Sequence, residues 1–266
     1  MDRLLLRIFG KILFVLDRIG IHIGRNNRPK TGHPYKDIDP RQMWARRYLS
    51  WRFLRGSGIE IGALHLPLPL YHGATVEYVD NLSVADAKKH YPELNDFDLV
   101  TPTYIENGEL LPSVANGSRD FIVANHFIEH CENPISTLGV LLDKLRVGGK
   151  IFLAVPMRDF TFDRDRPLTA LQHLINDYRE GAAGSHKEHF REWVTYVEKV
   201  DGSQIENRAE KLDQEHYSIH FHVWNYGSFL EFLIAASKEL KKPFEVVSAV
   251  AWKFNPFEAV YILRKD

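Results

Sequence analysis

Histidine is the side chain that this sequence gathers in ways that invite chemistry. Of its 13 histidines, His126 and His130 stand four apart in HFIEH, and His173 follows. His186 and His189 form HKEH, and His216, His220 and His222 form HYSIHFH, so six of the 13 lie between positions 157 and 222. Neutral imidazole titrates close to physiological pH and serves as a general base or a metal ligand. His220 and His222 alternate as on a strand, and no spacing matches a zinc signature, so no metal is expected. Hydrogen bonds that hold loops remain the structural alternative to a general base. In FDRDRPLT, Asp163, Arg164, Asp165 and Arg166 alternate in sign. On a solvated loop they would form surface ion pairs; above a ligand, Arg164 or Arg166 would clamp a carboxylate or phosphate.

A second group of residues suits a nucleoside. In GIEIGALHLPLP (58–69), Gly62 directly follows a strand-like run, where a missing Cβ lets backbone approach a ligand closely. Asp80 ends the next run, VEYVD. A carboxylate there can accept both ribose hydroxyls of an adenosine, at the spacing of about 20 residues used by nucleoside-binding βαβ units.

Short strand-like runs at 59–61, 76–79, 99–104, 121–124 and 151–155 alternate with helical stretches, which predicts a parallel sheet covered by helices. A helix at 135–145 carries Leu138, Leu141, Leu142 and Leu145 on one face and is expected to stop at Gly148-Gly149. A second helix is read at 229–240, followed by β-rich runs at 245–254 and 259–263. Two strands so close together pair antiparallel, because a parallel return needs a crossover. The stretch 157–222 is too long for a plain loop and reads as a helical insertion at the carboxyl end of the sheet. The expected architecture is α/β: a Rossmann-like three-layer sandwich with a seven-stranded sheet, the last strand antiparallel, and a helical insertion before the last helix. Residues 1–55 form an N-terminal helix, linker and helix, and 56–266 form the main domain with 157–222 as its lid.

Taken together and in order, these pieces resemble the class I S-adenosylmethionine-dependent methyltransferases over about 58–264. The motifs are Glu60-Ile61-Gly62, Asp80 after the second strand, Glu106-Asn107-Gly108 ahead of Leu110-Leu111-Pro112, SRDFIVANHFIEHCENP, and RVGGKIFLAVP. The resemblance implies S-adenosylmethionine as cofactor. Glu60, Gly62 and Ala63 would lie against its methionine part, Asp80 and Asn81 at the ribose, Asn107 and Gly108 at the adenine, and Asn125 beside the active site. The chain departs from the family at Leu64, where a second glycine is usual, and at Asn107, where an aspartate is usual. Methyl transfer to a hydroxyl needs a proton acceptor. His126 is the leading candidate, with His130, His186 and His189 as alternatives; Arg164, Arg166 and His173 would meet the acceptor, an oxygen or nitrogen of a small molecule or glycan. The alternative function is a non-catalytic binding module on the same fold. A nicotinamide-dependent oxidoreductase is disfavoured by the terminal hairpin and the lack of G-x-G-x-x-G after the first strand.

Composition frames these readings. The chain is 44% hydrophobic with a formal net charge of -1, which gives no sign of a nucleic-acid partner. Its single cysteine, Cys131, excludes an internal disulfide and suits a cytoplasmic location. Residues 1–30 carry seven Arg and Lys side chains against Asp2 and Asp17, with Leu5, Ile8, Phe9, Ile12, Leu16 and Ile19 at helical spacing. That basic amphipathic helix would pack on protein or, through residues 1–25, on an anionic membrane surface. Its longest apolar run, 12–16, is too short to span a bilayer.

Overall fold

The computed structural model describes residues 43–71 and 73–266, so the expected basic helix, its membrane contact and the linker at 26–40 lie outside the described residues. Among the described residues, no helix is long and apolar enough to cross a membrane.

Fourteen main elements follow in chain order: α1 (Trp44–Phe53), β1 (Gly56–Ile61), β2 (Ala74–Asp80), α2 (Val84–His90), β3 (Tyr104–Ile105), β4 (Arg119–Asn125) and α3 (Pro134–Lys144), then β5 (Leu145–Pro156), α4 (Leu171–Glu180), α5 (His186–Trp193), α6 (Ile205–Gln214), α7 (Tyr226–Leu240), β6 (Phe244–Trp252) and β7 (Asn255–Lys265). The seven strands form one sheet in the order β3-β2-β1-β4-β5-β7-β6. Strands β1 to β5 pair parallel with one another, whereas β7 runs antiparallel to both β5 and β6.

The central strands are apolar almost throughout because both faces are covered. On one face, Ile122, Ala124, Ile151, Leu153, Tyr261 and Leu263 pack with Ile135, Leu138 and Leu142 of α3 and Phe229, Phe232 and Leu233 of α7. On the other, Phe121, Val123, Phe152, Ala154, Val260 and Ile262 meet Ala45 and Leu49 of α1. Stacking of Trp44 on Trp252, with ring centroids 4.5 Å apart, fixes α1 against the hairpin. Starts of helices follow side-chain capping: Asn133 receives the Ser136 amide at the head of α3, and Asn225 and Ser228 form a reciprocal box at the head of α7.

Two expected elements differ. The run 99–104 yields only a two-residue strand, Tyr104–Ile105. Pro102 has no N–H to give, and the Val100 amide is taken by Leu64 O at 2.9 Å, so the backbone is spent on the loop after β1. The 135–145 helix also stops earlier than Gly148-Gly149: α3 ends at Lys144, and both glycines fall inside β5, where Gly148 takes φ +76°.

Residues 157–222 hold α4, α5 and α6, with a small core of their own made by Phe190, Trp193, Val194, Leu212 and Ile219. Its last segment returns to the sheet: the amides of Phe221 and His222 both donate to Glu129 O, at 2.8 and 3.2 Å, just beyond β4.

Candidate active site at the carboxyl edge of the sheet

The ends of β1, β2, β3 and β4 lie side by side, with Ile61 opposite both Val79 and Ala124, and Asp80 opposite Ile105. This register brings Gly62, Asp80, Glu106-Asn107-Gly108 and Asn125 to one edge, although 63 positions separate the first from the last. Gly62 donates to Val79 O at 3.0 Å and takes φ +64°, and a Cβ there would meet nothing within 4 Å. Its backbone therefore faces open space. Gly108 is the opposite case: an added Cβ would sit 2.6 Å from Ile61 Cγ2 and 3.2 Å from the Phe127 ring. The turn can close over β1 only without a side chain.

Leu64, where the family resemblance leads one to expect glycine, takes φ +47°. A leucine thus stands in a left-handed conformation that glycine adopts freely, a strain of about 1–2 kcal/mol. His126 (φ +48°) and Leu111 (φ +46°) add two more left-handed residues at this edge. Such strain persists where surrounding structure enforces it.

Several polar groups here await partners. Both side-chain atoms of Asn125 are buried without a hydrogen bond, as is His65 Nδ1 in the loop after β1. Asp80 Oδ1 receives the Leu82 amide at 3.1 Å, and burial raises its pKa against the pull of the backbone amides. Glu60 is otherwise engaged: it is buried, both its oxygens accept from Leu68 N at 2.9 and 3.0 Å, and burial pushes its pKa to about 8. Its side chain shapes the 62–68 loop rather than standing open to a ligand. Asn107 likewise spends Oδ1 on the Glu109 amide at 2.7 Å. Gly62, Asp80, the 106–108 turn and the unpartnered Asn125 amide together fit an adenosine-bearing cofactor: open backbone, a carboxylate at a strand end and an unsatisfied amide.

Beside this edge stands a relay that the sequence did not reveal. Arg46 Nε donates to Glu258 Oε1 at 2.8 Å, and Glu258 Oε2 is 2.8 Å from His126 Nε2. Burial opposes ionisation of Glu258, but the Arg46 guanidinium and His126 overcome it and hold its pKa at about 2. An ionised Glu258 can only accept, so His126 donates Nε2–H to it, and in the neutral imidazole this tautomer leaves Nδ1 bare. That nitrogen is 3.7 Å from Glu129 Oε1. Glu129 is fully buried, neither oxygen has a hydrogen bond, and burial pushes its pKa up to about 7 against the pull of His220. Its carboxyl oxygen also lies within 4.8 Å of ligand nitrogens of His130 and His220. An oriented imidazole beside a carboxyl group poised near neutrality can take up and pass on a proton.

The other candidates are placed differently. His130 donates Nδ1–H to Ile219 O at 2.8 Å, and burial lowers its pKa to about 3, too low for a base at neutral pH. His186 is held on both sides, by Glu132 at 2.9 Å and Asp213 at 2.8 Å, and has no free nitrogen. His189 is buried with a pKa lowered to about 4 by burial and His173, and packs with His173 and His222 rather than with His126. Arg166 corrects the expected clamp: it is 1% exposed and fully engaged with Asp163, Glu192, His220 O and Phe221 O. Arg164 stays exposed, 4.0 Å from Asp165. Glu129 had a signal in sequence, three residues after His126 and one before His130. Glu258 and Arg46 had none, being 212 positions apart.

The seven strands and the antiparallel β7 are those expected from the sequence. The fold is a Rossmann-like α/β sandwich with a seven-stranded mixed sheet. No family model matches the chain, and no curated protein sequence does. Among solved structures, it is similar to a putative S-adenosylmethionine-dependent methyltransferase from Listeria monocytogenes, at 11% identity over 85% of this chain and 98% of that one, with a TM-score of 0.47. It is also similar to the CurJ carbon methyltransferase, at 13% identity and a TM-score of 0.42 over 87% of this chain, and spans 50% of that protein's length. A putative Zn-dependent alcohol dehydrogenase from Rhodobacter sphaeroides matches at 12% identity over 97% of this chain and 98% of that one, with a TM-score of 0.48.

Proposed function

We propose that the chain binds S-adenosylmethionine at the carboxyl edge of β1, β2 and β4 and transfers its methyl group to an oxygen or nitrogen of a small molecule or glycan. The observation that carries this reading is the Arg46–Glu258–His126 relay standing next to an unpartnered Asn125 at the end of β4. Gly62 leaves room for the amino-acid portion of the cofactor, Asp80 accepts the ribose hydroxyls, and the 106–108 turn lies along the adenine. When bound, the cofactor supplies a methyl group on a sulfonium, already activated for in-line displacement.

The chain's own residues then have two tasks. The first is to orient the acceptor beside the end of β4. The second is to remove a hydroxyl proton. His126 Nδ1 takes it, Glu258 stabilises the resulting imidazolium through Nε2–H, and Arg46 keeps Glu258 ionised throughout. A general base in this position contributes about 10²–10⁴-fold to the rate. Glu129 Oε1 stands 3.7 Å from Nδ1 and receives the proton from the imidazolium.

Calorimetric titration of the purified chain with S-adenosylmethionine and S-adenosylhomocysteine tests the reading, with Asp80→Ala and His126→Ala alongside. The expected result is micromolar binding that Asp80→Ala loses and His126→Ala keeps, with turnover of any acceptor found by screening reduced in His126→Ala. No binding to the intact chain at millimolar ligand would overturn it.

A further inference from the structure

Three histidines that the proton relay does not use converge inside the insertion. His173 of α4, His189 of α5 and His222 of the returning segment place ligand nitrogens within 4.8 Å of one another. His173 Nε2 and His189 Nε2 are 3.2 Å apart. The rings splay around a common point, with centroids 5.0 to 5.6 Å apart and planes inclined by 60° to 86°. Asp177, one turn after His173, puts Oδ2 3.1 Å from the same His173 nitrogen.

Hydrogen bonding accounts for only part of this cluster: His173 Nε2 and His189 Nε2 can share one hydrogen, but the neighbouring acceptors are left out. His222 Nε2 faces Glu132 O at 3.2 Å, so that nitrogen carries the proton and Nδ1 is a bare lone pair. Nδ1 is buried, in a residue 1% exposed, with no donor near it. Asp177 Oδ2 is also buried with no hydrogen bond, although it stands within ion-pair distance of His173. A buried acceptor left without a hydrogen bond costs about 1–3 kcal/mol, and this cluster holds two such atoms.

We propose that His173, His189 and His222 bind a divalent transition-metal ion, zinc in the first instance, with Asp177 as the fourth donor. Tetrahedral ligands at metal–nitrogen bonds of about 2.0–2.1 Å stand about 3.3–3.4 Å apart, close to the two separations above. Three imidazoles and one carboxylate select zinc, iron, cobalt or nickel over magnesium or calcium. Outer partners are already in place, as ligating histidines require: Glu132 O holds His222, the Phe221 backbone holds the His189 ring, and Ser185 Oγ donates to Asp177 Oδ1 at 2.9 Å. The ion ties α4, α5 and the segment around His222 together. Because His222 N donates to Glu129 O, it also anchors the lid to the end of β4. None of the four donors belongs to the cofactor edge or the relay, so the two readings stand or fall separately.

The test uses the full chain purified without a metal-affinity step. Elemental analysis is expected to find one zinc per chain, and removal by a chelator should lower the thermal midpoint reversibly. Cobalt added to the stripped chain should give the intense visible bands of a tetrahedral nitrogen–oxygen site. Loss of an outer partner typically weakens such sites about 10–100-fold, so His222→Ala and His173→Asn should weaken binding by more than about 100-fold. A stripped wild-type chain that takes up neither zinc nor cobalt at micromolar concentration would overturn the proposal. So would unchanged affinity in both variants. Should the variants fail to fold, the wild-type cobalt spectrum decides, since octahedral bands would also overturn it.

Discussion

Replacing Glu258 by Gln removes the centre of the relay, and its cost can be worked out in two independent ways. The carboxyl pKa falls from 4.5 to about 2 in the folded chain, in spite of burial, because Arg46 and His126 surround it. By proton linkage that difference corresponds to about 3 kcal/mol of stability at neutral pH. The second route starts from the ion pair itself. Arg46 and Glu258 are 8% and 6% exposed, and breaking a buried pair by removing one partner costs about 3–5 kcal/mol. The two figures agree. The sign also fixes the pH dependence. A depressed carboxylate pKa contributes stability that is present above 4.5 and lost as pH falls toward about 2. The deficit of Glu258→Gln should therefore be about 3 kcal/mol at neutral pH and close progressively through the acid range. Urea denaturation of both proteins, from neutral pH to about pH 3, measures it. Adding Arg46→Met to Glu258→Gln should restore part of the loss, because the buried cation left behind is then gone. A neutral-pH deficit below about 1 kcal/mol, or one that does not change with pH, would refute the assignment of Glu258 as an ionised, tightly paired carboxylate.

The strained loop after β1 makes an inverted prediction: Leu64→Gly should be more stable than Leu64→Ala by about 1 kcal/mol in thermal melts, since alanine keeps the left-handed penalty at φ +47°. Gly108→Ala should lose about 1–3 kcal/mol from overpacking against Ile61 and Phe127, and a crystal structure should show the 106–108 turn displaced. Glu60 gives a pH slope of the opposite sense to Glu258. Its folded pKa of about 8, raised by burial from 4.5, means that stability is lost as pH rises between those values. Glu60→Gln should flatten that slope, and equal slopes in the two proteins would show that Glu60 is ionised in the folded chain.

Local pattern carried a great deal of this protein. Alternating β and helical periodicity, the leucine face of the helix at 135–145 and the closely spaced final strands determine a mostly parallel sheet with an antiparallel ending, because each depends on near neighbours in the chain. The positions of Gly62 and Asp80 at strand ends were legible for the same reason, whereas Gly108 and Asn125 were singled out by the family resemblance. Where local signals competed with tertiary demands they misled: 99–104 looks like a strand, yet its amide at Val100 is claimed by Leu64 O. The site chemistry was decided in three dimensions. Arg46 reaches Glu258 only because Trp44 stacks on Trp252 and lays α1 across the hairpin. His173, His189 and His222 have no ligand-like spacing, and it takes the packing of α4, α5 and the returning segment to bring them together. Arg166, an apparent clamp in the sequence, is buried by that packing. Sequence spacing records which residues are present at an element's end; burial and long-range pairing decide which remain free to act, because desolvation and charge partners set both protonation and reach.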